Sequence, residues 1–164
     1  MKSSPEWKTL TDDQKSIIAS HQEKLPVAVG AIAKDLGLII LKSTMPGSIS
    51  GEIRETEGVV TIKVNRHDVK ERQRFTIAHE IAHFLLHRER LASGITDDVL
   101  YRSRLSDDLE REANRLAADI IMPASLIEQE LLAHSALKLD DRYKKVAELA
   151  QVSLAAIKIR TGKK

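Results

Sequence analysis

Residues 75–87 read FTIAHEIAHFLLH. Histidines stand at every fourth position, His79, His83 and His87, and Glu80 follows the first of them. On a helix turning about 100° per residue, Ile77, Ile81, Phe84 and Leu85 gather on one face. Thr76, His79, Glu80, His83 and His87 gather on the opposite side. The apolar face predicts docking onto a core, and the other face presents imidazoles and a carboxylate together. HEIAH is an HExxH sequence. Imidazoles four residues apart stand one turn apart, about 6 Å along the axis, and can lean toward one zinc ion with Zn–N of about 2.0–2.1 Å. Glu80 then lies beside the ion, where a carboxylate can take a proton from water. His87 lies eight residues past His79, about 12 Å along the axis, so one ion cannot join both. It is read as a rim or lid residue, or as a side chain behind the ligands. The longer HExxHxxGxxH pattern fails, because position 86 is Leu and position 89 is Glu.

A zinc hydrolase site ordinarily has three protein ligands and one open position. The chain has no cysteine, so a carboxylate is the natural third donor. The stretch SDDLEREANRLAADIIMP predicts a helix from about Ser106 to Met122 that stops at Pro123. Its apolar stripe is Leu109, Ala113, Leu116, Ala117 and Ile120. Glu110 borders that stripe beside Ala113, Ala117 and Ile121, whereas Glu112 falls on the far side near Asp108, Arg115 and Asp119. A carboxylate at the edge of a buried stripe needs a compensating partner, and a cation is one. Glu110 is therefore the expected ligand, and Glu112 is expected to stay solvated and pair with its arginine neighbours. Asn114, one turn beyond Glu110, is placed to orient a ligand by hydrogen bonding.

The rest of the chain supplies a scaffold. Thr11–Gln22 predicts a helix capped by Thr11, and a second helix starts near Pro26 and stops at Gly37. Leu38–Lys42 reads as a buried strand. Ser48–Arg54 and Val59–Asn65 read as two more, joined by the hairpin stretch ETEG, with Val60, Ile62 and Val64 alternating against Thr61 and Lys63. Residues 88–105 are irregular and polar, and residues 124–164 hold two or three short helices. The expected class is α+β. A small, partly antiparallel three-stranded sheet packs against the HExxH helix and a second ligand helix.

Composition excludes several functions. Hydrophobic residues are 42% and charged residues 30% of 164, as in an ordinary globular chain. The net charge of +2 provides no strong field for nucleic acid. Without cysteine there is no disulfide, thiolate metal site or cysteine nucleophile. No secretory h-region precedes Gln14, and no apolar run is long enough to span a bilayer. A cytoplasmic protein with no membrane association is expected.

RQRFTIAHEIAHFLLH followed by EREANRLAADIIMP resembles the ImmA/IrrE-type zinc metallopeptidases. In that family an HExxH helix is followed by a helix of the form ExxxN/D that ends in Met-Pro. The likeness extends over the upstream strands and the VNRHD turn, most of residues 25–125. It implies a zincin-like domain over residues 1–125, of gluzincin type. His79, His83 and Glu110 would then be metal ligands and Glu80 the catalytic base. The implied metal is zinc, although manganese or iron also suits two histidines and a glutamate. The implied substrate is a helix-turn-helix repressor whose cleavage releases phage, mobile-element, toxin–antitoxin or stress genes. An extended substrate is expected to add to a sheet edge, along Ser48–Arg54 or the hairpin. Tyr101, Arg102 and Arg104 lie between the motif helices and are read as lid or loop residues. His21, His67 and His134 are read as surface residues.

Residues 126–164 are expected to form a small helical element packed on this domain. Within it, VAELAQVSLAAIKIR is similar to the helix-turn-helix of lac-repressor-type regulators, with Gln151 where glycine is common. Lys158 and Arg160 are its basic residues, and few side chains suit base edges. Two functions follow: an endopeptidase, or a DNA- or protein-binding regulator whose metal is structural. The intact Glu80 favours the first, since a structural site has no use for that carboxylate.

Overall fold

The computed structural model of the protein describes residues 1–98 and 106–162. Two short helices, α1 (Pro5–Thr9) and α2 (Asp12–Ala19), open the chain, and α3 (Val29–Asp35) leads into the sheet. Strands β1 (Ile39–Ser43), β2 (Ile49–Thr56) and β3 (Val59–Asn65) precede α4 (Lys70–Leu86). A 3-10 helix, Arg88–Ser93, and strand β4 (Ile95–Asp98) follow. Helices α5 (Ser106–Ile121), α6 (Ala124–Ala133), α7 (Leu139–Ala150) and α8 (Leu154–Arg160) complete the described chain.

The α+β class holds, but the sheet has four strands rather than three, in the order β1-β3-β2-β4. β1 runs parallel to β3, and β2 runs antiparallel to both β3 and β4. The fourth strand comes from the stretch read as irregular. ITDD has a single apolar residue and no alternation, so its pairing with β2 is dictated by the partner strand and not by its own pattern. This overturns the expected free edge at Ser48–Arg54, because β2 is flanked on both sides. β1 is not a buried strand either. As an edge it leaves Ile39 and Leu41 nearly half exposed.

The core forms where the sheet meets α4 and α5. Ile53, Val60, Ile62 and Val64 supply the sheet side, and Ala78, Ile81 and Ala82 supply α4. Ala113, Leu116, Ala117 and Ile120 of the predicted α5 stripe are fully buried, as is Ile121 beside it, while Leu109 at the start of the stripe is only half-buried. Burial of a side chain such as Ile81 is worth about 1.5–3 kcal/mol. Alternation in β3 holds: Val60, Ile62 and Val64 point inward while Lys63 is exposed. Unlike an ordinary amphipathic helix, α4 is covered on both sides, since Thr76, His79, Glu80 and His83 are buried as well. Helix α5 closes over the polar face.

Local chemistry sets the helix starts. Thr11 caps α2 with a complete capping box to Gln14, and Ser4 caps α1 with Pro5 in its first turn. Pro123 ends α5 and begins α6. The VNRHD turn is organised by buried Asn65. Its Nδ2 donates to the carbonyls of Met45 and Pro46 at 3.3 Å and of Ile49 at 2.9 Å, and its Oδ1 accepts from the His67 amide at 3.1 Å. Gln73 of α4 donates in turn to the Asn65 carbonyl at 3.0 Å. Asn65, through its side chain and its backbone carbonyl, therefore links the β1–β2 loop to the start of α4.

The C-terminal helices are fastened to this body by arginines. Arg74 of α4 donates to the carbonyls of Val27, Ala150 and Gln151. Arg160 of α8 pairs with buried Asp119 of α5 at 2.7 Å and donates to the Met122 carbonyl. A short turn joins α7 to α8. Gln151 sits at φ 52°, ψ 51°, the left-handed position where glycine is common, and Arg74 holds its carbonyl.

Replacing Asn65 with Ala leaves three carbonyls without their common donor, at a cost on the order of 1–3 kcal/mol. Urea unfolding is expected to show a lower midpoint with an unchanged slope. A midpoint equal to that of the wild type would contradict this role for the turn.

Candidate metal centre

Helices α4 and α5 bring His79, His83 and Glu110 to one point. Their ligand atoms all lie within 4.8 Å of one another. Glu110 Oε2 is 3.0 Å from His79 Nε2, and Oε1 is 3.2 Å from His83 Nε2. The two Nε2 atoms are themselves 3.0 Å apart. His79 and His83 are 3% and 1% exposed, and Glu110 is 9% exposed. Of the two candidate carboxylates, Glu110 is the one the structure places with both histidines.

The outer nitrogens are also engaged. His79 Nδ1 is 3.0 Å from Asn114 Oδ1, which can only accept, so Nδ1 carries a hydrogen and Nε2 is the nitrogen turned toward Glu110. Asn114 thus sits where a ligand-orienting residue was expected. His83 Nδ1 is 3.0 Å from His87 Nδ1. Burial pushes the His83 imidazole below its ordinary pKa. Burial alone would raise the Glu110 carboxyl, but hydrogen bonding and charge at His79 and His83 outweigh it. They hold the carboxyl below the usual carboxylate range, and Glu110 is ionised. Two imidazole lone pairs and a carboxylate facing one buried point repel one another unless a proton or a cation lies between them. Two nitrogens and a carboxylate match the donor set of a catalytic zinc site.

Glu80 is fully buried next to His79. It faces β2 at Gly51, where an added Cβ would lie 2.4 Å from Thr76 Cγ2, 3.1 Å from the Lys63 carbonyl and 3.3 Å from Glu80 Oε1. Only glycine allows this close approach of strand and helix. The sequence reading missed Gly51, although a glycine inside a strand is a usable sign of such an approach.

Other expectations change. His87 is not at a rim: it is 4% exposed and lies behind His83. Glu112 keeps a partly exposed side chain near the charge of Arg115, as expected, but it has a further partner. Its Oε2 is 2.8 Å from His87 Nε2. Helical periodicity could not show this contact, because it joins the end of α4 to α5 across the fold. Phe75 stacks on the His79 ring with centroids 6.5 Å apart. Tyr101, Arg102 and Arg104 lie outside the described residues. His21 pairs with Asp35 and His134 with Glu130, both at the surface.

A groove of about 850 Å³ opens beside Phe75 and Asn114. Its walls include Val69, Met122, Leu154 and Ile159, so it runs from α4 and α5 to the C-terminal helices.

With this geometry in view, comparison with known proteins is informative. The family model described as the IrrE N-terminal-like domain, peptidase family M78, matches residues 33–161. The match covers most of the chain, including both motif helices and α7–α8, so the chain belongs to this metallopeptidase-type family. No curated relative matches the chain. Among the described residues, no helix is long and apolar enough to cross a membrane.

Replacing Glu110 with Ala is expected to abolish stoichiometric zinc uptake in a chelator-competition titration. Replacing exposed Asp108 should leave uptake unchanged. Wild-type affinity in Glu110→Ala would contradict the assignment.

Proposed function

We propose that this chain is a zinc-dependent endopeptidase that cleaves a helix-turn-helix repressor protein. The observation that carries the reading is the convergence of His79, His83 and Glu110, with the Nδ1 atoms of both imidazoles already engaged, in a chain of a peptidase family. His79, His83 and Glu110 would hold the metal. When bound, the ion supplies Lewis acidity to the scissile carbonyl and lowers the pKa of a water. Glu80 takes a proton from the attacking water and passes it to the leaving amine nitrogen. Burial of Glu80 and its contact with β2 fix the carboxylate's position before substrate arrives. Manganese or iron(II) would also suit the donor set.

The groove beside Phe75 and Asn114 supports a polypeptide substrate, since its walls are largely apolar and include two residues that touch His79. Strand addition now points to β4, the sheet edge beyond β2. The choice of a repressor as substrate rests on the family resemblance, as does release of phage, mobile-element, toxin–antitoxin or stress genes. The cations of α8 speak against the DNA-binding alternative. Lys158 pairs with Asp140 at 3.5 Å and Arg160 with Asp119 at 2.7 Å, and the most exposed large side chain of that helix is Ile159. A cytoplasmic location remains part of the proposal.

The test is intact-mass analysis of a repressor encoded beside this chain after incubation with the zinc-loaded protein. One defined cut is expected, and Glu80→Gln should bind zinc but lose turnover by a factor of 100 or more, on the order expected for a general base. Equal turnover in Glu80→Gln would refute the assignment of the base. An uncut repressor in the presence of one bound zinc per chain would count against this substrate class.

A further inference from the structure

We propose that Glu112 and His87 form a hydrogen-bonded relay that locks His83 in the one tautomer able to ligate a metal, and thereby set the affinity of the site. The inference rests on the metal reading above and assigns it two further residues.

The argument follows the protons outward. His83 Nε2 faces the point shared with His79 and Glu110. A ligating imidazole presents a lone pair there, so the one proton of neutral His83 must sit on Nδ1. That nitrogen is 3.0 Å from His87 Nδ1. Two ring nitrogens at this distance need one donor and one acceptor. His83 donates, so His87 Nδ1 accepts, and the proton of His87 is on Nε2. His87 Nε2 is 2.8 Å from Glu112 Oε2, and a carboxylate oxygen accepts. Each bond determines the next.

The reverse arrangement fails at both ends. A proton on His87 Nδ1 would make that atom the donor and move the proton of His83 to Nε2, into the place a metal would take. It would also set the bare Nε2 of His87 against the Glu112 carboxylate at 2.8 Å, lone pair against lone pair. Glu112 therefore selects the productive arrangement from outside. Its side chain is 40% exposed, so its charge stays hydrated, while His87, 4% exposed, carries the effect inward. The two histidine ligands are thus supported unequally. His79 is oriented by the neutral amide of Asn114, and His83 by an imidazole backed by a carboxylate. His87 and Glu112 touch neither substrate nor reacting atoms in this scheme and act as positioning residues.

The experiment measures zinc affinity by chelator competition with zinc alone, for the wild type, Glu112→Ala, Glu112→Gln, His87→Ala and the double variant His87→Ala/Glu112→Ala. Long-range proton–nitrogen spectra of the histidine rings accompany it. Each single alanine variant is expected to weaken zinc binding about 10–100-fold. Glu112→Gln should recover most of the loss, because its amide oxygen still accepts. The double variant should bind no more weakly than His87→Ala, since both residues act through one chain. The spectra should show His87 protonated on Nε2 and His83 on Nδ1. Glu112 is partly exposed, so its variants keep the test alive if His87→Ala fails to fold. Glu112→Ala with wild-type affinity, additive losses in the double variant, or a His87 proton on Nδ1 would each overturn the relay. A wild type that takes up no zinc would overturn the metal site itself, and so is distinguishable from failure of the relay alone.

Discussion

Glu110 reaches across from α5 to within 3.0 Å of His79 and 3.2 Å of His83 on α4, and the remainder of the fold keeps that contact in place. Three electron-pair donors meet where solvent is nearly absent. Such a cluster is costly in a core unless a positive charge compensates it. The helices are held at this distance by apolar burial on α5 and by the sheet beneath α4, a combined burial much larger than the cost of one polar cluster. A rigid apolar scaffold thus fixes the positions of donors that would otherwise move apart.

The surroundings of α4 show how this is achieved. Gly51 lets β2 approach the helix beside Glu80, and Arg72 of α4 donates to Ser50 Oγ at 3.0 Å on the same strand. Gln73 ties the first turn of α4 to the Asn65 carbonyl, and Arg74 and Arg160 tie the C-terminal helices to α4 and α5. The cations of α8 are used within the chain, Lys158 on Asp140 and Arg160 on Asp119. The groove that the C-terminal helices wall is apolar and lies next to the candidate site.

Much of the site was legible because its geometry is local. HExxH places two imidazoles and a carboxylate through helix pitch alone, and the amphipathic stripe of SDDLEREANRLAADIIMP separates Glu110 from Glu112. The strand Val59–Asn65 was legible for the same reason, since its alternation is strict. What escaped depends on partners distant in sequence. β4 takes its conformation from β2, and ITDD has no pattern of its own to announce it. β1 looks buried by composition but lies at an edge. His87 seemed peripheral because one ion cannot bridge eight residues, a correct inference that says nothing of what the ring does behind His83. Glu112 has the solvated, arginine-flanked setting of a surface carboxylate, and only the approach of α4 to α5 gives it His87. Helix α1 is a different case. Ser4 followed by Pro5 is a readable helix start that the five-residue length of α1 made easy to pass over.

The central claim is that two imidazoles and the Glu110 carboxylate form one metal-binding unit. X-ray absorption of the zinc-loaded protein reads this directly. The account predicts one zinc per chain with two imidazole nitrogens at about 2.0–2.1 Å and the remaining donors oxygen, and the loss of an oxygen donor in Glu110→Asn. A shell of three imidazoles, which would bring His87 onto the metal, or a wild-type shell retained in Glu110→Asn, would contradict it.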